Sequence, residues 1–281
     1  MTADVDLAAY CARIAYSGSL SPTLETLAAL QRRHIAAIPF EGIDVLLGRR
    51  VDLTPAAVDD KIIRRGRGGY CFEQNGLFER VLRAIGFEVE GLLGRVFWMA
   101  PPGALPPRTH LALRVTIDGR PWLADVAFGA NVPPRPLRLD VAGAQQTEFG
   151  AYRLTRSEGE TLLEARMAGR WEKLYALADR GCAPADVEAA NWYTSTFPDS
   201  IFRKALMVAR SLPGRRYGLL DNRLTVRGRS GEAEHRELSA HGLAETLRDV
   251  FGLPVEESWM PVLEAAAAAP AAEPVAAGAD G

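Results

Sequence analysis

Cysteine is scarce in this sequence. There are three, Cys11, Cys71 and Cys182, odd in number and far apart. That pattern excludes a disulfide framework, and without a Cys-x-x-Cys pair there is no structural-zinc signature. Long apolar runs are also missing. None approaches the roughly 20 residues needed to span a bilayer. Charge of one sign is missing as well: 33 Lys+Arg stand against 35 Asp+Glu, a formal net charge of -2. No global field therefore draws the chain to nucleic acid or to an anionic membrane. The first residues, MTADVDLAAYCARIAY, carry Asp4 and Asp6 where a secretory signal has basic residues. They read as the first amphipathic helix of a cytoplasmic protein. What remains is a chain of 281 residues, 48% apolar and 24% charged. Such a composition suits one large or two to three small globular domains.

The first third reads as helical. Residues 3–16 form one candidate. A second starts at Ser21 as cap with Pro22 in the first turn, and Leu24, Leu27 and Ala28 share a face. A third starts at Thr54 and Pro55, with Val58 and Ile62 one turn apart. A fourth opens near Cys71 and ends around Gly86, a C-cap glycine. From about 88 to 185 the period changes to short alternating runs, EVEGLLGRVFWM, HLALRVTI, PWLADVAF, YRLTRS, TLLEARMA and WEKLYAL. These read as strands of an antiparallel sheet or small barrel. Beyond them, PDSIFRKALMVAR and SAHGLAETLRDVFG look helical and YGLLDNRLTVRGR looks like a hairpin. The Ala/Pro-rich end lacks aromatics and reads as a disordered tail. The fold class is thus α+β. Residues 1–86 form a helical domain, and 87–190 an antiparallel β-barrel domain. Residues 191–263 form a third, α/β domain, and 264–281 the tail.

RGRGGYCFEQNG, residues 65–76, crowds cations and bare backbone against Cys71. A thiolate attacks where a thiol does not, and nearby cations and a helix N-terminus lower the pKa of a cysteine from roughly 8.5. Arg64, Arg65 and Arg67 supply the first signal and the helix start the second. Gly68 and Gly69 leave room for a substrate, and donors at that turn would hold a developing oxyanion. The loop is no P-loop, since no Gly-Lys-Ser/Thr follows, and it lacks the last glycine of a dinucleotide fingerprint. Cys11 and Cys182 read as small buried hydrophobes.

A nucleophilic cysteine needs a base, and the base an orienting group. HLALRVTIDGRPWLADVAF is a predicted hairpin around Asp118-Gly119, a strong two-residue turn signal. With those residues at the turn, Ile117 pairs with Arg120, Ala112 with Asp125 and His110 with Ala127. His110 and Asp125 then share one face as diagonal neighbours, about 7–8 Å apart at the backbone and within side-chain reach. An unpaired carboxylate amid WLADVAF would be costly, which favours the pairing. His34 follows Arg32 and Arg33 and reads as solvated. His235 and His241 read as surface residues.

With RGGYCFEQN, RTHLAL and DVAFG in the order Cys71, His110, Asp125, the chain resembles the arylamine N-acetyltransferases. The resemblance runs from ARIAYSG (12–18) through AIPFEGIDVLLGR (37–49) to STFPDSIF (195–202). It implies a helical domain, a barrel and an α/β lid around a cysteine-protease/transglutaminase-like catalytic core. It also implies ping-pong acetyl transfer from acetyl-CoA through a Cys71 thioester to arylamines or arylhydrazines, a reaction of xenobiotic metabolism, with no metal. O-acetylation of N-hydroxyarylamines belongs to the same chemistry. By matching position, Thr109, Phe128 and Gly129 line the CoA side. Phe40, Phe72, Val96, Trp98 and Phe202 form the aromatic-accepting pocket, although plain core packing explains each of these singly. Arg13, Glu41 and Arg67 match charged structural positions, with Glu41 tying down the loop by pairing with an arginine. The chain departs from the family pattern at Ala127, where glycine is usual, at Gly42, where asparagine is common, and at Phe197, where histidine is common. Two other readings use the same residues: an amide synthase closing a macrolactam from a carrier-bound acyl chain, and a cysteine amidase or transglutaminase-like enzyme. A catalytically dead scaffold or binding module is a third, disfavoured because it has no need of a thiol, an imidazole and a carboxylate in register.

Overall fold

The computed structural model describes residues 5–229 and 231–270. In chain order the N-terminal elements are α1 (Leu7–Arg13), α2 (Leu24–Ala37), β1 (Phe40–Glu41), α3 (Ile43–Leu46), α4 (Pro55–Val58) and α5 (Cys71–Ile85). Then come β2 (Glu88–Val96), β3 (Arg108–Ile117), β4 (Arg120–Ala124), β5 (Leu137–Arg138), β6 (Ala144–Thr147), β7 (Gly150–Ser157), β8 (Glu160–Met167) and β9 (Arg170–Ala178). The remainder is α6 (Pro184–Thr196), α7 (Ile201–Lys204), β10 (Met207–Leu212), β11 (Arg215–Leu220), β12 (Arg223–Gly228), β13 (Ala233–Glu237), α8 (Ala240–Asp249) and α9 (Met260–Ala267).

Local chemistry explains most boundaries. α2 starts later than Ser21, because the Thr23 hydroxyl accepts from the Thr26 amide at 3.3 Å. Pro55 occupies the first turn of α4, which continues as a π-helical stretch, Asp59–Arg64. α5 stops at Gly86, whose φ of 103° is left-handed. In the segment expected to be one helix, 198–210, only α7 is helical, and β10 follows. The ALMVAR portion pairs with β1 and β11 on either side, so sheet pairing outweighs local propensity. The helix α9 carries ordered backbone past residue 264, where the tail was expected to begin; residues 271–281 lie outside the described residues.

The architecture is α+β. β2–β9 form one antiparallel sheet in the order β5-β4-β3-β2-β9-β8-β7-β6. It is nearly closed. At the seam the Gln145 side chain accepts from the Arg138 amide and donates to the Arg138 carbonyl, both at 2.8 Å, in place of ladder bonds. A second antiparallel sheet runs β1-β10-β11-β12-β13, so the N-terminal segment lends it a strand. Three apolar cores result. Helices α2 and α5 pack on one face of β3 and β4. Leu92, Ala112, Leu123 and Tyr175 fill the barrel. Leu243, Leu247, Trp259 and Leu263 back the second sheet. Both faces of β3 are therefore buried, one against helices and one inside the barrel, where the alternation alone predicts a single core side.

Candidate active site

Cys71 is the first residue of α5 and is buried. The loop before it is held by close packing and charge. A Cβ on Gly68 would lie 2.1 Å from the Pro39 carbonyl oxygen, so only glycine fits, and the Glu41 amide donates to the Gly69 carbonyl at 3.0 Å. That backbone meets β1 instead of offering itself to a substrate. The arginines do not surround the thiol either. Arg67, 1% exposed, donates to Glu41 at 2.8 Å and lies 3.3 Å from Asp44. Arg64 pairs with Asp60 and Arg65 with Glu256. Lys61 bridges Asp44 and Glu73, each at 2.7 Å, and Glu73 accepts from the Tyr70 amide. The charges thus fix the loop and the start of α5, with Glu41 in the tying role expected of it.

His110 reaches the site from β3. The ladder runs Ile117↔Arg120 to Leu113↔Ala124 in the predicted register, with Asp118 and Gly119 at φ of 50° and 69°. β4 ends at Ala124, so Asp125 lies just beyond the ladder. On the other edge of β3 the register with β2 passes from Gly94↔His110 to Arg95↔Arg108. This bulge leaves Thr109 without a partner, and the Thr109 carbonyl accepts from Cys71 Sγ at 3.6 Å. His110 Nε2 bonds Asp125 Oδ2 at 2.8 Å, and the Cys71 side chain is a further partner of the ring.

Asp125 is fully buried and takes four donors. Oδ2 receives His110 and the Tyr175 hydroxyl at 2.9 Å. Oδ1 receives Asn75 Nδ2 and the Ala127 amide, both at 2.9 Å. Burial opposes the charge of both groups, but each holds the other ionised. The Asp125 carboxyl is kept low, and the His110 imidazole is pushed up to about 10. Asn75 also donates to the Leu111 carbonyl at 2.7 Å and accepts from the Val126 amide at 3.1 Å, locking α5 to the hairpin. Asn75 lies one helical turn from Cys71, a spacing visible in the sequence. Tyr175, from β9, carries no such signal. Tyr175→Phe is expected to cost about 1 kcal/mol of stability, one net hydrogen bond, because Asp125 keeps three donors; urea unfolding reads it.

The other expected site residues divide into groups. Phe40 and Phe202 meet at 6.0 Å between ring centroids. Phe202 meets Tyr70 edge-on at 5.4 Å, as Tyr70 does Phe72. Gly129 lies 3.9 Å from the Phe40 ring, measured from its ideal Cβ position. Phe128 stands edge-on to His110 at 5.0 Å and to Tyr175 at 4.7 Å. Val96 pairs with Tyr175 in the ladder, and Trp98 packs on the barrel core. Phe72 sits within the helical core. Gly42 has a local reason: a Cβ there would lie 2.7 Å from the Phe202 ring. Phe197 stacks on Tyr193 at 4.8 Å. Among the other histidines, His34 is completely buried between Tyr10 and Gln74, against the expectation of a solvated residue. His235 and His241 are exposed as expected. Cys11 and Cys182 are only partly buried. Among the described residues, no group of three His, Cys, Asp or Glu side chains could hold a metal, and no helix is long and apolar enough to cross a membrane.

An N-acetyltransferase family model matches residues 23–260. The chain is 39% identical over 257 residues to an arylamine N-acetyltransferase of Mycobacterium tuberculosis, covering 90% of this chain and 91% of that protein. It is 42% identical over 255 residues to one from Mycolicibacterium smegmatis, covering 89% and 92%. The solved structure of Mycobacterium marinum arylamine N-acetyltransferase in complex with CoA superposes with a TM-score of 0.88 at 39% identity, covering 93% of this chain and 98% of that one.

Proposed function

This chain belongs to the arylamine N-acetyltransferase family and is therefore an acyltransferase, and from that premise we propose that it works by ping-pong acetyl transfer through a thioester on Cys71. The observation that carries the reading is the Asp125–His110 pair beside the Cys71 thiol. The thiol proton passes to His110 Nδ1, and Asp125 stabilises the imidazolium. A ring whose pKa is pushed up to about 10 keeps that proton at neutral pH. The thiolate attacks the acetyl-CoA carbonyl carbon, the thioester C–S bond breaks, and CoA leaves with the proton from His110. The acceptor amine then attacks the acetyl-enzyme, its proton goes to His110, and Cys71 is released. The first exchange trades one thioester for another and is nearly balanced. Amide formation drives the second.

The acceptor is a small arylamine or arylhydrazine, received between the rings of Phe40, Phe202 and Phe128, with Phe72, Val96 and Trp98 behind. Thr109, Phe128 and Gly129 face the CoA side. The hydroxyl oxygen of an N-hydroxyarylamine attacks the acetyl-enzyme carbonyl in the same geometry, its proton going to His110 and Cys71 leaving, which gives O-acetylation. The helical, barrel and lid domains around a protease-like core belong to the same proposal.

Intact-mass spectrometry after mixing the protein with acetyl-CoA and no acceptor tests it. The expected result is a gain of one acetyl group, mapped to the Cys71 peptide and discharged by a simple arylamine. No adduct, on a protein whose Cys71 still alkylates, overturns the reading. It would favour a carrier-bound acyl donor or an amidase.

A further inference from the structure

On the face of the second sheet that meets the barrel, three polar side chains stand in cross-strand register. Ser211 of β10 is opposite Arg216 of β11, and Arg216 is opposite Arg227 of β12. Arg216 is 6% exposed. Its guanidinium donates to the carbonyls of Ala130 at 3.1 Å and Val132 at 2.6 Å and to the Tyr152 hydroxyl at 3.0 Å, and it lies over the Phe149 ring at 4.3 Å. All these partners are neutral. Its Nε has no partner, nor has the buried Ser211 Oγ. No hydrogen bond or ion pair to the side chain of half-buried Arg227 is found among the described residues. Glu148, next to Phe149, pairs with Arg229 instead.

Like charges directly opposite in an antiparallel pair repel each other, and a buried guanidinium without a counter-charge is costly. Burial, then the charge of Arg216, depresses the pKa of Arg227. A bound anion removes both penalties, and the planar forks of two arginines suit a phosphate. The row abuts the 129–132 loop, which follows Phe128 on the side assigned above to CoA.

We propose that Ser211, Arg216 and Arg227 form the phosphate-binding row for the pantetheine-thioester donor, an inference that rests on the acetyl-CoA reading above. Arg227 makes the outer contact, with Arg216 and Ser211 behind it.

Calorimetric titration with CoA, dephospho-CoA and pantetheine, on the wild-type protein and Arg227→Gln, tests the row without turnover. The expected result is that Arg227→Gln weakens CoA about tenfold or more and pantetheine not at all. An equal effect on dephospho-CoA assigns the row to the pyrophosphate; an effect on CoA alone assigns it to the 3′-phosphate. Equal weakening of all three ligands, or of none, overturns it. Should Arg227→Gln fail to fold, Arg227→Lys and a salt titration of the wild type decide. Wild-type CoA binding must then fall with ionic strength while pantetheine binding does not. KM for acetyl-CoA against S-acetylpantetheine separates the two proposals. Transfer from both donors without discrimination by Arg227→Gln sinks the row alone. Absence of transfer from either sinks the transferase reading, while calorimetry still decides the row.

Discussion

Asp125→Asn is expected to lower kcat/KM by about 10,000-fold, the scale seen when an imidazole loses the carboxylate that sets its tautomer, while the chain still folds. The reason lies in the count of donors. Asp125 is an acceptor at both oxygens, two donors to each. An asparagine has one acceptor oxygen and one NH2. If the oxygen stays toward Asn75 and the Ala127 amide, the NH2 faces His110 Nε2 and the Tyr175 hydroxyl. The ring must then accept at Nε2, so its single proton sits on Nδ1, the nitrogen needed for the thiol proton. Without the carboxylate, burial is opposed only by the weaker pull of Cys71, and the His110 pKa falls from about 10. Steady-state kinetics with an arylamine acceptor and a thermal melt read the two effects separately. Activity within tenfold of wild type, in a protein that melts cooperatively, would refute the assigned role.

The parts of this site that sequence reasoning reaches are those fixed by local geometry. The two-residue turn at Asp118-Gly119 sets a register, and that register puts His110 and Asp125 on one face. Gly86 ends α5 where a C-cap glycine should. Parts set by tertiary pairing are not legible. Tyr175 meets Asp125, 50 residues away in the chain, only because β9 closes on β2, a pairing the local sequence cannot announce. The segment at β10 is helical by composition and a strand by its neighbours. α6 hides because its residues do not sort by polarity: Asn191 is buried, bonding Tyr70 and the Val51 carbonyl, while Trp192 is 67% exposed. The arginines of the 64–67 run mislead for another reason. Proximity in sequence to Cys71 says nothing of which carboxylates Glu41, Asp44, Asp60 and Glu256 bring to them. His34 was within reach of a helix argument. It lies four residues after Leu30 and seven after Leu27, on the buried face, and the neighbouring arginines point elsewhere.

The buried His34 leads to the second large effect, on stability against pH. Its ring bonds the Tyr10 hydroxyl through Nδ1 at 2.9 Å and Gln74 Oε1 through Nε2 at 3.1 Å. Gln74 Nε2 donates to the Pro39 carbonyl, so Oε1 is the acceptor and His34 carries its proton on Nε2. A second proton would be buried with the charge of Arg13 nearby. Burial first, then that charge, outweighs the Gln74 hydrogen bond and lowers the pKa to about 3. The unfolded chain then binds this proton below about pH 6.5 while the folded one does not. Stability is full above that value and declines as pH falls toward 3, by on the order of 4 kcal/mol in all. His110 has the opposite sign. Its folded pKa is about 10, so its contribution is full below about 6.5 and is lost as pH rises through 10. Stability should therefore peak near pH 6.5, with one histidine behind each arm. Urea unfolding between pH 4.5 and 9.5 reads both. The difference between wild type and His34→Gln isolates the acid arm, and that between wild type and Asp125→Asn isolates the alkaline one. An acid arm that survives His34→Gln at full slope would place the sensitivity in the carboxylates instead.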